Sequence, residues 1–185
     1  MSNLKKSALV IALASSAFIS QAFAADEGNG RIHFTGTVIN APCSIAPDST
    51  SIDVDMGQVA NKVLETGDKY SQNVQYDINL QDCDLTEHTA GGVTYPAQSK
   101  VSVTFGGIPD ALSPVLLVNT GSAGGAGIRL IDTNGALLKV GDTGADVNLI
   151  TGPNLITFFA RVEATGAPVT TGTIVSQATY ALNYK

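Results

Sequence analysis

The chain has 185 residues, with 10 lysines and arginines against 16 aspartates and glutamates. Lys5 and Lys6 lie in a segment that is predicted below to be removed, which leaves 8 basic against 16 acidic residues and a net charge of −8. A chain this acidic, without a cluster of basic residues, repels nucleic acid and anionic lipid, so both are excluded as partners. The length suits one domain with a single core.

Residues 1–24 have the three parts of a secretory signal peptide. Lys5 and Lys6 are basic, the run from Ser7 to Ile19 is almost wholly apolar, and Ala22–Ala24 supplies the small residues of a cleavage site. The alternative, a retained membrane anchor, is disfavoured because a bilayer-spanning helix needs roughly 20 apolar residues. The sequence therefore predicts export of a mature chain of residues 25–185.

Apolar and polar residues alternate with a period of two along most of the mature chain, which predicts β-strands. In chain order the predicted strands are 32–39, 51–56, 73–80, 100–105, 115–118, 128–131, 136–140, 156–163 and 174–184. Asp132–Gly135 is predicted to be a hairpin turn, and residues 56–70 a short helix or an irregular crossing. Short strands separated by Gly, Asn, Asp and Pro indicate an all-β sandwich or barrel.

The two cysteines of the chain, Cys43 and Cys83, both lie in the exported part. In an oxidising compartment such a pair predicts a disulfide, which would stabilise the fold by about 4 kcal/mol at this loop length. A metal site is the alternative. It is disfavoured because His33 and His88 are the only histidines and neither lies at a ligand spacing from a cysteine.

No catalytic motif is found: the chain has no Gly-x-Ser-x-Gly, no His-Glu-x-x-His and no tryptophan. The carboxylate pairs Asp53/Asp55 and Asp82/Asp84 are interpreted as solvated charges rather than as a general acid and base. The glycine-rich run 121–127 lacks the Gly-Lys-Ser/Thr ending of a phosphate loop and is interpreted as a surface loop. The sequence predicts no catalytic residue, no metal and no cofactor.

The two ends of the mature chain carry the most specific patterns. At the carboxyl end, Gly172 precedes a strand pattern in which one face is lined by Ala178, Tyr180, Leu182 and Tyr184. At the amino end, the residues that share a face are Gly28, Gly30, Ile32 and Phe34. A chain terminus usually frays unless it is held, so the carboxyl-terminal strand is predicted to pair in a sheet.

These features together resemble the mature subunits of chaperone–usher fimbriae, the pilins of type 1 and P pili. The resemblance covers nearly all of the mature chain and includes the segments 127–132 and 158–162. Its most specific residues are Phe34, Gly36, Val38, the two cysteines, a glycine fourteenth from the carboxyl end (Gly172) and a penultimate aromatic residue (Tyr184).

The resemblance implies an immunoglobulin-like β-sandwich that lacks its last strand and is completed by a donor strand from a neighbouring subunit. The donor extension would be residues 25–35, with Gly28, Gly30, Ile32 and Phe34 facing the groove, and the pilin domain residues 36–185. The acceptor edge would include Gly172, Ala178, Tyr180, Leu182 and Tyr184. The implied partners are neighbouring subunits in a homopolymer, a periplasmic chaperone and an outer-membrane usher, with no small-molecule substrate. The implied location is a cell-surface fimbrium, reached through the periplasm.

Within this family the sequence favours the major shaft subunit, because 161 mature residues leave no room for the lectin domain of a tip adhesin. A minor adaptor pilin is the alternative, since adaptors share the same motifs. Outside the family, a self-contained secreted sugar-binding sandwich is disfavoured by the absence of tryptophan and the small number of tyrosines. A secreted enzyme is disfavoured because no catalytic constellation is present.

Overall fold

The computed structural model describes residues 31–67 and 69–185. The predicted signal peptide, Gly28 and Gly30 lie outside the described residues. The chain divides into two units, Met1–Val38 and Ile39–Lys185. No strand or helix forms in the described part of the first unit, residues 31–38, so the strand predicted over 32–39 is not formed within this single chain.

The second unit is nearly all β. Its strands are β1 (Ser44–Ile45), β2 (Val74–Cys83), β3 (His88–Ala90), β4 (Val93–Tyr95), β5 (Lys100–Gly107), β6 (Ala126–Ile131), β7 (Leu137–Leu138), β8 (Val147–Asn148), β9 (Gly152–Ala164) and β10 (Ala178–Tyr184). One short helix, α1 (Asn61–Thr66), and a single 3₁₀ turn (Pro47–Ser49) complete the elements of the described residues. Within these residues no helix is long and apolar enough to span a bilayer.

Two antiparallel sheets form a sandwich. The five-stranded sheet has the order β1-β2-β9-β6-β7 and the three-stranded sheet the order β10-β5-β8, while β3 and β4 form a separate hairpin. Alternate residues of β2, β5 and β9 point into the core, as their period of two predicts. The most deeply buried of these are Ile78, Leu80, Val101, Val103, Ile156, Phe158 and Val162. The predicted all-β sandwich is confirmed.

Three aromatic rings join the two sheets at the centre of the core. Phe105 on β5 meets Phe158 on β9 edge-to-face, with ring centroids 4.9 Å apart. Tyr76 on β2 stacks on Phe158 at 5.9 Å. Such pairs stabilise a core by about 1 kcal/mol beyond the area they bury, so this cluster fixes the separation of the sheets.

The predicted disulfide is present between Cys43 and Cys83. It lies where β1 pairs with the end of β2, with Ser44 opposite Gln81. The bond therefore ties the first strand of the sandwich to the longer strand beside it.

Several predicted strands differ from the structure. Residues 51–56 alternate exposed and half-buried side chains as a strand does, yet they pair with no strand of the described chain. Residues 115–118 form only isolated bridges, such as Leu117 to Ile128. The hairpin β3–β4 and the short strand β8 were not predicted, because their few apolar residues give no clear alternation.

A half-buried ion-pair cluster joins β6 and β9, two neighbouring strands inside the five-stranded sheet. Arg129 and Arg161 lie directly opposite each other on β6 and β9. Glu163 bridges them, with N–O distances of 2.9 Å to Arg129 and 2.5 Å to Arg161. Burial alone would raise the pKa of the Glu163 carboxyl, but the hydrogen bonds and charges of the two arginines outweigh it and hold that pKa below its ordinary value.

We expect Glu163→Gln to lower the free energy of unfolding by about 2 kcal/mol at neutral pH, between the values for exposed and for buried pairs. Two opposed guanidinium groups would then lack a counter-charge. Because the pKa of Glu163 is lowered on folding, its contribution is full above the ordinary value of 4.5 and is lost as the pH falls through the lowered pKa. Urea unfolding at several pH values should show the difference from wild type shrinking in acid.

Asp146→Asn, in the exposed pair with Lys185, is the control and should change stability little. A Glu163→Gln variant as stable as that control would contradict the prediction.

Candidate functional site: an apolar groove beside a free strand edge

A long groove opens between residues 50–59 and residues 169–180. It consists of two adjoining cavities, with volumes of about 930 Å³ and 490 Å³. Val54, Met56 and Ile174 line both cavities, so the two meet at these side chains. The larger cavity extends toward β10 and the smaller one toward Gly172 and α1.

The floor of the larger cavity is the core of the sandwich itself. Ile52 and Met56 form one wall, and Ile174 and Tyr180 the other. Between them the lining residues are mostly apolar and come from both sheets: Ile45, Tyr76, Phe105, Leu117, Ile128, Leu130 and Ala160. The smaller cavity is floored by Leu64, Ala126, Val162 and Val169. Along this line the described residues leave the core of the sandwich uncovered.

One side of the groove is an unpaired strand edge. β10 is the last strand of its sheet and pairs only with β5 among the described strands. Lys185 and Lys100 exchange both of their backbone hydrogen bonds, at 2.9 and 3.0 Å. In an antiparallel ladder such pairs alternate, so the odd-numbered residues of β10 bond to β5. The even-numbered residues therefore direct their N–H and C=O groups to the free edge.

The same alternation continues before β10. The carbonyl oxygens of Thr173 and Val175 accept hydrogen bonds from Ala123 N–H at 3.0 Å and Thr120 N–H at 2.8 Å. Val175 N–H donates to Asn119 Oδ1 at 2.7 Å. The odd-numbered residues are thus held by the loop 119–123, which leaves the free edge running from about residue 174 to residue 184.

The predicted face of the carboxyl-terminal strand is present. Tyr180, Leu182 and Tyr184 are half-buried against the core, while Ala178 is exposed and lines the larger cavity. The Tyr180 hydroxyl donates a hydrogen bond to the carbonyl oxygen of Ser49 at 2.5 Å. Burial raises the pKa of both hydroxyls, and burial together with the charge of Tyr180 brings that of Tyr184 to about 12. Both tyrosines therefore stay neutral at physiological pH.

Gly172 has a steric role that the sequence did not reveal. A Cβ atom at this position would overlap the backbone of Ser122 and Ala123. The close approach lets Thr173 N–H donate to Ser122 Oγ at 2.9 Å, which anchors the start of the edge segment. Only glycine allows the two backbones to pack this closely.

The amino-terminal residues that the structure describes are highly exposed. The exposed fractions of Ile32, Phe34 and Val38 are 77%, 87% and 101%. Gly36, between the last two, has no atom within 4 Å of the position that a Cβ would occupy. In an extended chain Ile32, Phe34, Gly36 and Val38 share one face. The donor face predicted from the sequence, which ended at Phe34, therefore continues to Val38.

Sequence reasoning did not identify the second wall of the groove. Residues 51–56 were predicted to be a strand, and their alternating side chains do point Ile52, Val54 and Met56 toward the groove. The available signal for this wall was the clear strand pattern of residues 51–56, which pair with no strand of the described residues.

The fold and the groove together define an immunoglobulin-like pilin with one uncovered edge, and the comparisons with known proteins agree. The family model described as fimbrial protein matches residues 32–185. The Fimbria A protein of Serratia marcescens is 37% identical over 168 residues, which cover 90% of each chain. A chain from a chaperone–usher pilus structure concerned with rod uncoiling matches with a TM-score of 0.70 and 29% identity, over 86% of this chain and 97% of that one. The P pilus rod subunit PapA matches with a TM-score of 0.64 and 28% identity, over 78% of this chain and 100% of its own.

The chain belongs to the fimbrial protein family. It is a structural pilus subunit, which polymerises with other pilin subunits into a surface fimbrium. The resemblance recognised in the sequence is confirmed.

We expect Gly172→Val to destabilise the sandwich by about 2 kcal/mol, the usual size of an overpacking effect. The new side chain would separate the edge segment from residues 122–123. Thermal unfolding of the mature chain measures the loss. Gly36→Ala is the matched control, because nothing surrounds Gly36 in the single chain and its unfolding midpoint should not change. Equal midpoints for Gly172→Val and wild type would contradict the close approach at Gly172.

Proposed function

We propose that this chain is the major shaft subunit of its fimbria and that it polymerises head to tail by donor-strand exchange. The carrying observation is the apolar groove beside the free edge of β10. An extended segment from another subunit would fill the groove with its side chains and bond to the even-numbered residues of the edge. Strand addition of this kind satisfies an exposed core and an unpaired edge in one step.

The exposed segment before the sandwich supplies a suitable donor. Ile32, Phe34 and Val38 offer large apolar side chains on one face, and Gly36 interrupts them. We place Gly36 at the junction of the two cavities, near Met56 and Ile174, where the walls of both meet. The donor strand would thus continue from the predicted residues 25–35 as far as Val38, and Gly28 and Gly30 would precede the fillers.

The sizes of the cavities favour one direction for this strand. Phe34 and Ile32 need more room than Val38, and the 930 Å³ cavity lies toward β10 while the 490 Å³ cavity lies toward Gly172. Placing the larger residues in the larger cavity makes the donor antiparallel to β10. An antiparallel arrangement also has the slightly more stable ladder.

The donor and the groove are different surfaces of one chain. A contact between unlike surfaces is heterologous, and when its rotation does not close into a ring it generates a filament. Before assembly the same edge needs a temporary cover, a role that the family resemblance assigns to a periplasmic chaperone, with an outer-membrane usher receiving the subunit. Export through the periplasm follows from that assignment and from the predicted signal peptide.

The similarity to rod subunits favours the shaft over an adaptor. PapA is a P pilus rod subunit and the other solved chain comes from a pilus structure concerned with rod uncoiling; each is covered over nearly its whole length. A shaft subunit repeats many times in each fibre, so purified fimbriae should contain this chain as their main component.

We expect Gly36→Asn to abolish fibre formation, because a side chain at the cavity junction would keep the neighbouring residues Phe34 and Val38 out of their cavities. Gly30→Asn and Gly28→Asn test the positions first predicted from the sequence, and the variant with the strongest loss identifies the glycine at the constriction. Fibre yield by electron microscopy and denaturant-resistant ladders are the readouts, with soluble subunit yield as the folding control. Normal fibres from all three variants would exclude this donor segment.

We also expect a chain that begins at Ile39 to gain stability when a copy of residues 25–38 follows Lys185 through a short flexible linker. The antiparallel direction places the start of the donor near the end of β10, so a short linker is sufficient. The added strand should give a soluble monomer that unfolds cooperatively at a higher temperature.

Phe34→Asp in the added copy is the control, because it keeps the length and removes the main apolar filler. If all three chains unfold at the same temperature, the sandwich is complete alone, and a self-contained secreted domain replaces the pilin mechanism.

A further inference from the structure

One wall of the groove carries charge on its outer face. Asp53 and Asp55 alternate with the inward-pointing residues of the segment 50–59 and are exposed. Asp55 Oδ1 accepts a hydrogen bond from Gly57 N–H at 2.8 Å. Within residues 31–67 and 69–185, Asp53 makes no ion pair and no hydrogen bond, although it lines the larger cavity.

The opposite wall is uncharged. Its outward-facing residues are Thr173, Val175, Gln177 and Thr179. Of the two walls, only the one with Asp53 and Asp55 is charged, and an incoming strand with a cation on its outer face would be attracted to that side.

The proposed donor has such a face. When Ile32, Phe34, Gly36 and Val38 point into the groove, Arg31, His33, Thr35 and Thr37 point outward. Arg31 is always charged, and His33 can donate a hydrogen bond to a carboxylate. The donor segment thus offers a cation where the acceptor offers two carboxylates that form no ion pair with the described residues.

The register derived from the cavities brings these groups together. A donor antiparallel to β10 runs in the same direction as residues 50–59, because these two walls run in opposite directions. With Gly36 beside Met56 and a rise of about 3.3 Å per residue in both segments, His33, three residues earlier, falls next to Asp53. Arg31 lies two residues further along the same face, with a side chain long enough to reach along the rim.

We propose that Asp53, with Asp55 beside it, is a specificity-determining residue of assembly, which selects the Arg31-bearing donor strand of a second copy of this chain. This inference rests on the proposed donor-strand exchange. Charges at the rim of an interface act mainly on the association rate and on its salt dependence, whereas the buried side chains set the lifetime of the complex.

The test follows the association of a fluorescent peptide of residues 25–38 with the full mature chain that carries Gly36→Asn. We expect Asp53→Lys in that chain to slow association about ten-fold at an ionic strength of about 0.01 M, where the Debye length is about 30 Å. At about 1 M the Debye length is about 3 Å and the difference should vanish. The dissociation rate should change less than two-fold.

The matched control is Glu87→Lys, which makes the same change of net charge at an exposed residue just before β3 that lines neither cavity. It should leave the association rate nearly unchanged, and an equal slowing would overturn the proposal in favour of a net-charge effect. A peptide with Arg31→Glu should bind the wild-type rim slowly and the Asp53→Lys rim faster.

Equal rates for all of these pairs would also overturn the rim proposal while leaving donor-strand exchange intact. A peptide that binds no variant, at either salt concentration, would instead contradict the proposed function and with it this inference.

Discussion

The structure depends on β10, a strand whose backbone is hydrogen-bonded on one edge only among the described strands. β10 is held by β5 over its whole length, while none of the described residues covers its other edge or the core beneath it. An isolated domain would normally bury such a surface, because unpaired edges and exposed apolar patches favour aggregation. Here the groove is continuous, lined mainly by apolar side chains and bounded by residues 50–59 on one side and 169–180 on the other. These properties are why we propose this surface as the interface for an extended segment of another subunit.

The rest of the sandwich keeps this interface in shape. The aromatic cluster of Tyr76, Phe105 and Phe158 fixes the distance between the sheets directly under the larger cavity. The loop 119–123 holds the segment before β10, and the glycine at 172 permits that close contact. The groove is therefore largely pre-formed, and the ordering cost of binding falls mainly on the exposed amino-terminal segment.

The sequence predicted the elements whose partners lie within the chain. β2, β5 and β9 alternate clearly and were located to within a few residues, and the inward face of β10 was assigned correctly. Residues 32–39 and 51–56 carry equally clear alternation but form no ladder strand, because a ladder needs a neighbour and none of the described strands lies beside them. The steric demand at Gly172 depends on a loop fifty residues away, so no local pattern could indicate it. The groove wall formed by residues 51–56 was missed for the same reason, because the groove exists only where that segment faces residues 169–180, which lie far away in the sequence.

The position of the disulfide has a mechanical consequence. Cys43 lies five residues after Val38 and is joined to Cys83 at the end of β2, which pairs with β9 in the middle of the larger sheet. In a fibre linked through amino-terminal strands, a pulling force would enter each subunit at residues 39–43. The covalent bond would transmit that force into two strands at once and prevent β1 from being peeled away alone. The load would then fall on the donor strand along its own axis, where all its hydrogen bonds must shear together. The lifetime under tension is a question of unfolding rate rather than of equilibrium stability.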